Sequence, residues 1–272
     1  MSRFIKSIIK LLVFAYCIVC MTACTLQRQL LYHPAAGIES PGAYGLNGFS
    51  ELRLQDEDGT HIAAWYHEAR AGYPTLLSFH GNAGTMANRA QYFAALTNAG
   101  FGLLAIDYRG YGASEGSPSE QGLYQDARAA VGYATHMLHL PVNKIVLYGE
   151  SIGTGVAVQM GTEFPAGAVV LQSPYTSIEA IAKGRYPFLP VHMLLEDRFD
   201  SISKVERIHA PLLVIHGEGD TIIPVQEGKT LFARANNPKE IVFFPQGHND
   251  LSIDGRVKAL LAFGRKYALI KE

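Results

Sequence analysis

Leu147-Tyr148-Gly149-Glu150-Ser151-Ile152-Gly153-Thr154-Gly155 is the stretch on which the reading of the chain turns. The run from Lys144 to Tyr148 before it reads as a buried strand, and Thr154 to Phe164 after it carries a helical pattern. The pattern is therefore strand, sharp turn and helix, with Ser151 at the apex. A serine held there must adopt a strained backbone for its hydroxyl to project. Small residues two before and two after it, Gly149 and Gly153, let strand and helix pack closely enough. Ser151 also lies at a helix N-terminus, where free N–H groups favour a developing anion. A tight loop with a capping serine would use the same letters, so the decision falls to partners elsewhere in the chain.

Working outward, strand patterns fall at Ser50 to Gln55, Ile62 to His67, Thr75 to Phe79, Gly102 to Asp107, Lys144 to Tyr148, Ala168 to Leu171, Leu212 to Ile215 and Ile241 to Phe244. The first two flank Asp58-Gly59, a hairpin signal. Helical patterns at Met86 to Asn98, Glu120 to Leu138, Thr154 to Phe164, Val225 to Ala235 and Arg256 to Leu269 alternate with the later strands. That alternation predicts an α/β fold, a mostly parallel sheet with helices on both faces. Ligands of such sheets bind at the carboxyl ends of the strands.

Besides the one at Ser151, three of those ends carry chemistry. His80-Gly81-Asn82-Ala83-Gly84 follows Phe79, and a Gly-rich turn there can aim backbone N–H groups inward. The N–H groups of Asn82 and Ile152 would then form an oxyanion hole, while His80 is expected to pin the loop. His216-Gly217-Glu218-Gly219-Asp220 follows Ile215 and offers Asp220, with Glu218 as the local rival. The loop after Leu171, Gln172-Ser173-Pro174, offers no acid. Pro245-Gln246-Gly247-His248 follows the last strand. Of ten histidines, His248 alone combines a position after the final strand, a preceding glycine and a following helix. The order Ser151, Asp220, His248 is that of a Ser…Asp…His hydrolase. His248 would act as base and Asp220 would orient the imidazole. Such chemistry needs no metal or organic cofactor.

Composition fits this reading. The chain has 272 residues, 48% hydrophobic and 17% charged, enough for one large core. A net charge of −1, with no run of Lys or Arg, gives no footprint for nucleic acid. Cys17, Cys20 and Cys24 are the three cysteines, so the body has neither a disulfide nor a thiolate metal site.

Arg3, Lys6 and Lys10 precede an almost unbroken apolar run from Leu11 to Ala23, and Met21-Thr22-Ala23-Cys24 closes it. A basic start, a short apolar region and small residues before a cut describe a secretory signal. The last four residues resemble a bacterial lipoprotein lipobox. That resemblance implies cleavage before Cys24, lipidation of Cys24 and a place in the bacterial cell envelope, facing the periplasm or exterior. An uncleaved anchor, Ile5 to Ala23, is the alternative and is barely long enough to span. Residues 1–23 are therefore expected to be a signal or anchor, and residues 24–47, with Pro34, Pro41 and several glycines, a tether that packs in part on the body.

From about Ser50 onward the chain resembles the α/β-hydrolase superfamily. Asp107-Tyr108-Arg109-Gly110-Tyr111-Gly112-Ala113-Ser114, Ser173-Pro174-Tyr175-Thr176-Ser177 and the His-Gly-Asn-Ala-Gly loop resemble a narrower group. That group is small membrane-associated serine hydrolases related to protein depalmitoylating hydrolases and serine aminopeptidase-like proteins. The resemblance implies a hydrolase domain over residues 48–272, an eight-stranded sheet with its second strand antiparallel, and hydrolysis of ester, thioester or, less often, amide bonds. Arg109 is expected to pair with a nearby acid. Tyr175 to Arg207 leaves room for only a small cap, which suits short to medium acyl chains.

The leading expectation is a membrane-tethered serine esterase or thioesterase acting on an acylated substrate. An aminopeptidase-like enzyme would need an acid to hold the substrate amine, with Glu150, Glu179 or Glu196 to supply it. A non-catalytic envelope lipoprotein is the remaining class, and a complete Ser151, Asp220 and His248 set argues against it.

Overall fold

Short apolar runs separated by amphipathic helices assemble into one sheet. The computed structural model describes residues 3–37 and 40–271. The strands are β1 (Ser50–Gln55), β2 (His61–His67), β3 (Thr75–Phe79), β4 (Gly102–Ile106), β5 (Ile145–Glu150), β6 (Ala168–Gln172), β7 (Leu212–Gly217) and β8 (Lys239–Phe244). They form one eight-stranded sheet in the order β8-β7-β6-β5-β3-β4-β2-β1. β2 runs antiparallel to β1 and β4, and the remaining pairs are parallel. This is the α/β-hydrolase fold that the resemblance implied.

Every residue of β3, β4, β6 and β7 is buried, as strands covered on both faces must be. The side-chain alternation of a strand divides the core in two. Leu77, Phe79 and Leu147 face the helices α3 (Glu120–His136), α4 (Gly153–Glu163) and α7 (Val225–Arg234). Leu76, Val146 and Tyr148 face α2 (Ala90–Ala99) and α8 (Ile253–Lys266). The cap is small, as expected: α5 (Ile178–Arg185) and α6 (Val191–Leu194). It leaves Phe188 and Met193 exposed.

The expected pairing of Arg109 is threefold. Its guanidinium meets Asp126 at 2.9 Å, Asp58 at 3.0 Å and also Asp56, while its own N–H donates to Asp126 at 2.8 Å. The cluster ties the turn after β4 to the β1–β2 hairpin and to α3.

The N-terminal segment begins as a helix and then packs on the body. α1 (Arg3–Leu31) runs without a break through Cys24 and is long and apolar enough to cross a membrane. At about 1.5 Å per residue it exceeds the roughly 30 Å hydrocarbon thickness. Beyond it, Tyr32 is buried, His33–Pro34 pairs in parallel with Ala83–Gly84, and Leu46 enters the core. The stretch after α1 is held by side-chain burial and backbone pairing, neither of which its Pro- and Gly-rich composition predicts. The thiols of Cys17, Cys20 and Cys24 are free.

Candidate active site

β5 and α4 meet at the predicted turn. Ser151 sits between them with φ at 53°, a left-handed conformation that non-glycine residues adopt only at a cost. A Cβ on Gly149 would stand 2.3 Å from the carbonyl oxygen of Gly153, so strand and helix could not approach this closely with any other residue there. The turn therefore fixes Ser151 at the carboxyl end of the sheet.

The three residues singled out from the sequence come together. Ser151 Oγ lies 3.0 Å from His248 Nε2, and His248 Nδ1 lies 2.7 Å from Asp220 Oδ2. A carboxylate can only accept, so Nδ1 carries the ring proton and Nε2 offers its lone pair to the serine hydroxyl. Asp220 is buried and bonded to His248, whereas its rival Glu218 is exposed. The N–H groups of Ile222 and Ile223 donate to Asp220 Oδ1 at 2.9 and 2.8 Å. Burial alone would raise the Asp220 carboxyl. His216, His248 and the Ile223 N–H outweigh that and hold it well below the usual carboxylate range.

His216 was not picked out from the sequence. It is fully buried at the end of β7, with Nε2 at 2.9 Å from the Ile223 carbonyl and 3.5 Å from Asp220 Oδ2. Both neighbours accept, so Nε2–H donates and steadies the loop that carries the acid. A buried imidazole four residues before the acid was the available signal.

The loop after β3 is fixed from several sides. His80 Nδ1–H donates to the Gly81 carbonyl at 2.6 Å, and its ring packs against Tyr108 and Tyr111, the pinning role expected of it. The Asn82 carbonyl accepts from the His33 N–H and the Tyr111 hydroxyl, each at 2.8 Å. Asn82 Nδ2 donates to the Leu31 carbonyl at 2.9 Å. Among the described residues, the N–H groups of Asn82 and Ile152 meet no acceptor.

Two cavities flank the site. One, of about 860 Å³, is lined by His248, Arg89, Glu150, Gln172 and Arg256. There Arg89 pairs with Glu150 at 2.8 Å. Burial would raise the Glu150 carboxyl, but Arg89 outweighs it and keeps the group ionised. Arg256 is also buried, stacks over Tyr92 and donates to Gln172 Oε1 at 2.9 Å. The other cavity, of about 450 Å³, is mainly aliphatic and lies between α1, α5 and α6, with Asn82, Ile222 and Ile223 at its base.

The acids considered for an amine-binding pocket are already engaged. Glu150 pairs with Arg89, Glu179 with Lys183 at 3.1 Å, and Glu196 with Arg28 at 3.1 Å. Only Glu150 lies beside the site.

Comparison with known proteins places this fold in a class. The serine aminopeptidase (S33) family profile matches residues 73–198, and the FSH1 serine hydrolase profile matches residues 151–249. An uncharacterized protein of Mycobacterium tuberculosis is 40% identical over 235 residues, covering 85% of this chain and 84% of the relative. The lysophosphatidylserine lipase ABHD12 of Danio rerio is 32% identical over 246 residues, covering 75% of this chain and 63% of that protein. Among solved structures, an esterase of Pyrococcus furiosus superposes with a TM-score of 0.72 at 18% identity, over 88% of this chain and 99% of that one. The chain belongs to the serine hydrolases of the α/β-hydrolase superfamily. It is an enzyme of the hydrolase class.

Proposed function

We propose that the protein is a membrane-tethered serine esterase or thioesterase that works through Ser151, His248 and Asp220. The observation that carries this reading is the continuous hydrogen-bond chain from Ser151 through His248 to Asp220, beside two N–H groups that meet no acceptor among the described residues. His248 Nε2 takes the Ser151 proton as Oγ attacks the acyl carbonyl. The carbonyl oxygen becomes an oxyanion between the N–H groups of Asn82 and Ile152. Losing one such donor typically costs on the order of a hundredfold or more in rate. Nε2–H then protonates the departing alcohol or thiol, leaving the acyl group on Ser151. Water enters, His248 takes its proton, and the second tetrahedral anion collapses to carboxylic acid and free serine. Asp220 stays ionised throughout, fixing the Nδ1–H tautomer and stabilising the imidazolium.

Ester chemistry is favoured over peptide chemistry because the candidate amine-holding acids already have cationic partners. The zebrafish relative carries the name of a lipase, which supports an acyl ester as the bond cleaved. Tethering rests on the N-terminal segment, with acylated Cys24 as the mature N-terminus in a bacterial envelope. Intact mass of the membrane-extracted protein checks this, and retention of Met1 would replace lipidation with an anchor.

The test of activity is a panel of matched p-nitrophenyl ester, acyl thioester and aminoacyl anilide substrates, with the full chain in detergent micelles. Esters and thioesters are expected to turn over, with all turnover lost in Ser151→Ala. Preferential cleavage of the anilide would establish the peptidase instead.

A further inference from the structure

The aliphatic cavity beside the site has an unexpected wall. Its base is formed by Asn82 and by Ile222 and Ile223, whose N–H groups hold Asp220. One side is α5, through Ile181 and Ala182. The end of α1 also lines it, through Ala23, Gln27 and Leu30. The helix that is apolar enough to cross a membrane thus reaches the catalytic loops.

That wall is locked in place by polar contacts. Gln27 Nε2 donates to the Leu194 carbonyl at 3.1 Å, and Gln27 Oε1 accepts the Glu196 N–H at 2.7 Å. Arg28 and Tyr32 both donate to Asp197, at 3.0 and 3.1 Å. Asp197 is buried and also accepts the Glu120 N–H at 3.1 Å, so the junction extends to the start of α3. Further up the apolar run, the Tyr16 hydroxyl donates to the Phe188 carbonyl at 2.8 Å. Phe188, whose ring is exposed on the cap, is therefore joined through its carbonyl to the membrane-type part of α1.

We propose that the last turns of α1 form one wall of the acyl-chain site, so that the chain of a membrane-borne ester runs from Ser151 between α1 and α5 toward the bilayer. This inference rests on the esterase reading and names its substrate class: esters carrying an acyl chain of medium length or longer, presented at a lipid surface. It lengthens the short to medium range expected from the small cap, because α1 adds a wall that the cap alone lacks. Gln27, Leu30 and Leu31 follow Cys24, so this part of the wall persists whether the segment before Cys24 is cleaved or kept.

The test uses the full chain in micelles and a p-nitrophenyl ester series from acetate to decanoate. Leu30→Trp and Ala182→Trp fill the cavity from α1 and from α5, and Gln29→Trp serves as a control on the same turn of α1. Wild type is expected to gain in kcat/KM from acetate to decanoate. Both filling variants are expected to lower the decanoate-to-acetate ratio of kcat/KM by about tenfold or more, as loss of several buried methylenes requires. Leu30→Ala at the same exposed position is expected to weaken the decanoate preference severalfold by removing apolar contact. Acetate turnover reports that each variant is folded and that its serine works. If wild type cleaves no ester, the esterase reading itself fails. If wild type cleaves esters but the Leu30 variants leave the decanoate-to-acetate ratio unchanged, α1 is not part of the site, even if Ala182→Trp alters it.

Discussion

A Cβ on Gly153 would lie 2.1 Å from the carbonyl oxygen of Phe79. The first residue of α4 thus touches the end of β3 directly, and this contact sets how far Ser151 projects. Gly153→Ala is expected to push α4 away from the sheet, destabilising the protein by about 1–3 kcal/mol, the usual range for overpacking. Because Ser151 lies two residues away, reactivity should fall further than stability. Thermal unfolding and serine labelling, measured on the same sample, check both parts.

Asp220→Asn preserves shape but places an amide opposite His248 Nδ1. The imidazole then favours the other tautomer, with its proton facing Ser151. A loss of about ten-thousandfold in kcat with little change in KM is expected from the equivalent change in a serine–histidine–aspartate site. Steady-state kinetics on a short-chain ester decides this, and an unchanged kcat would remove Asp220 from the mechanism.

The same carboxylate makes a prediction about acid stability. Its pKa is lower in the folded protein than in the unfolded chain, so its stabilising contribution is complete above the unfolded value, about 3.9, and is lost as pH falls through the folded value. The stability gap between wild type and Asp220→Asn should therefore be constant near neutrality and close below about pH 4. Denaturant unfolding of both proteins across that range measures the gap. A gap that widened on acidification would mean the carboxylate is not held ionised.

Arg109 stands among three carboxylates, with Asp126 and Asp56 buried. Arg109→Met keeps the aliphatic stem and leaves those acids without their cation. Breaking a buried ion pair from one side typically costs about 3–5 kcal/mol, and a loss of that size is expected here. Equilibrium unfolding measures it. Since Asp56, Asp58 and Asp126 are not members of the Ser151, His248 and Asp220 chain of hydrogen bonds, folded protein should retain its catalytic rate.

What the sequence made legible was local. The turn at Ser151 is written in five consecutive residues, and the strands before Asn82, Asp220 and His248 are short apolar runs. Their meeting follows once the sheet is parallel, because strand ends then share one rim. Contacts between distant segments were not legible. Nothing in the local pattern links Gln27 with Leu194 or Tyr32 with Asp197, and the Pro- and Gly-rich stretch after α1, expected to pack in part on the body, does not show that its partner is Ala83–Gly84. Arg109 was expected to find an acid, but which one depends on the packing of α3 and the first hairpin. His216 reads as one more apolar-strand histidine, because its value lies in a hydrogen bond made by the fold.

The central claim is that Ser151 is an activated nucleophile, and covalent labelling with a fluorophosphonate probe tests it most directly. The full-length protein in micelles should take up one probe, located on the Ser151 peptide by mass spectrometry. Ser151→Ala should take up none, and His248→Ala should label far more slowly. Folded wild type that stays unlabelled, or that carries the probe on another residue, would contradict the account.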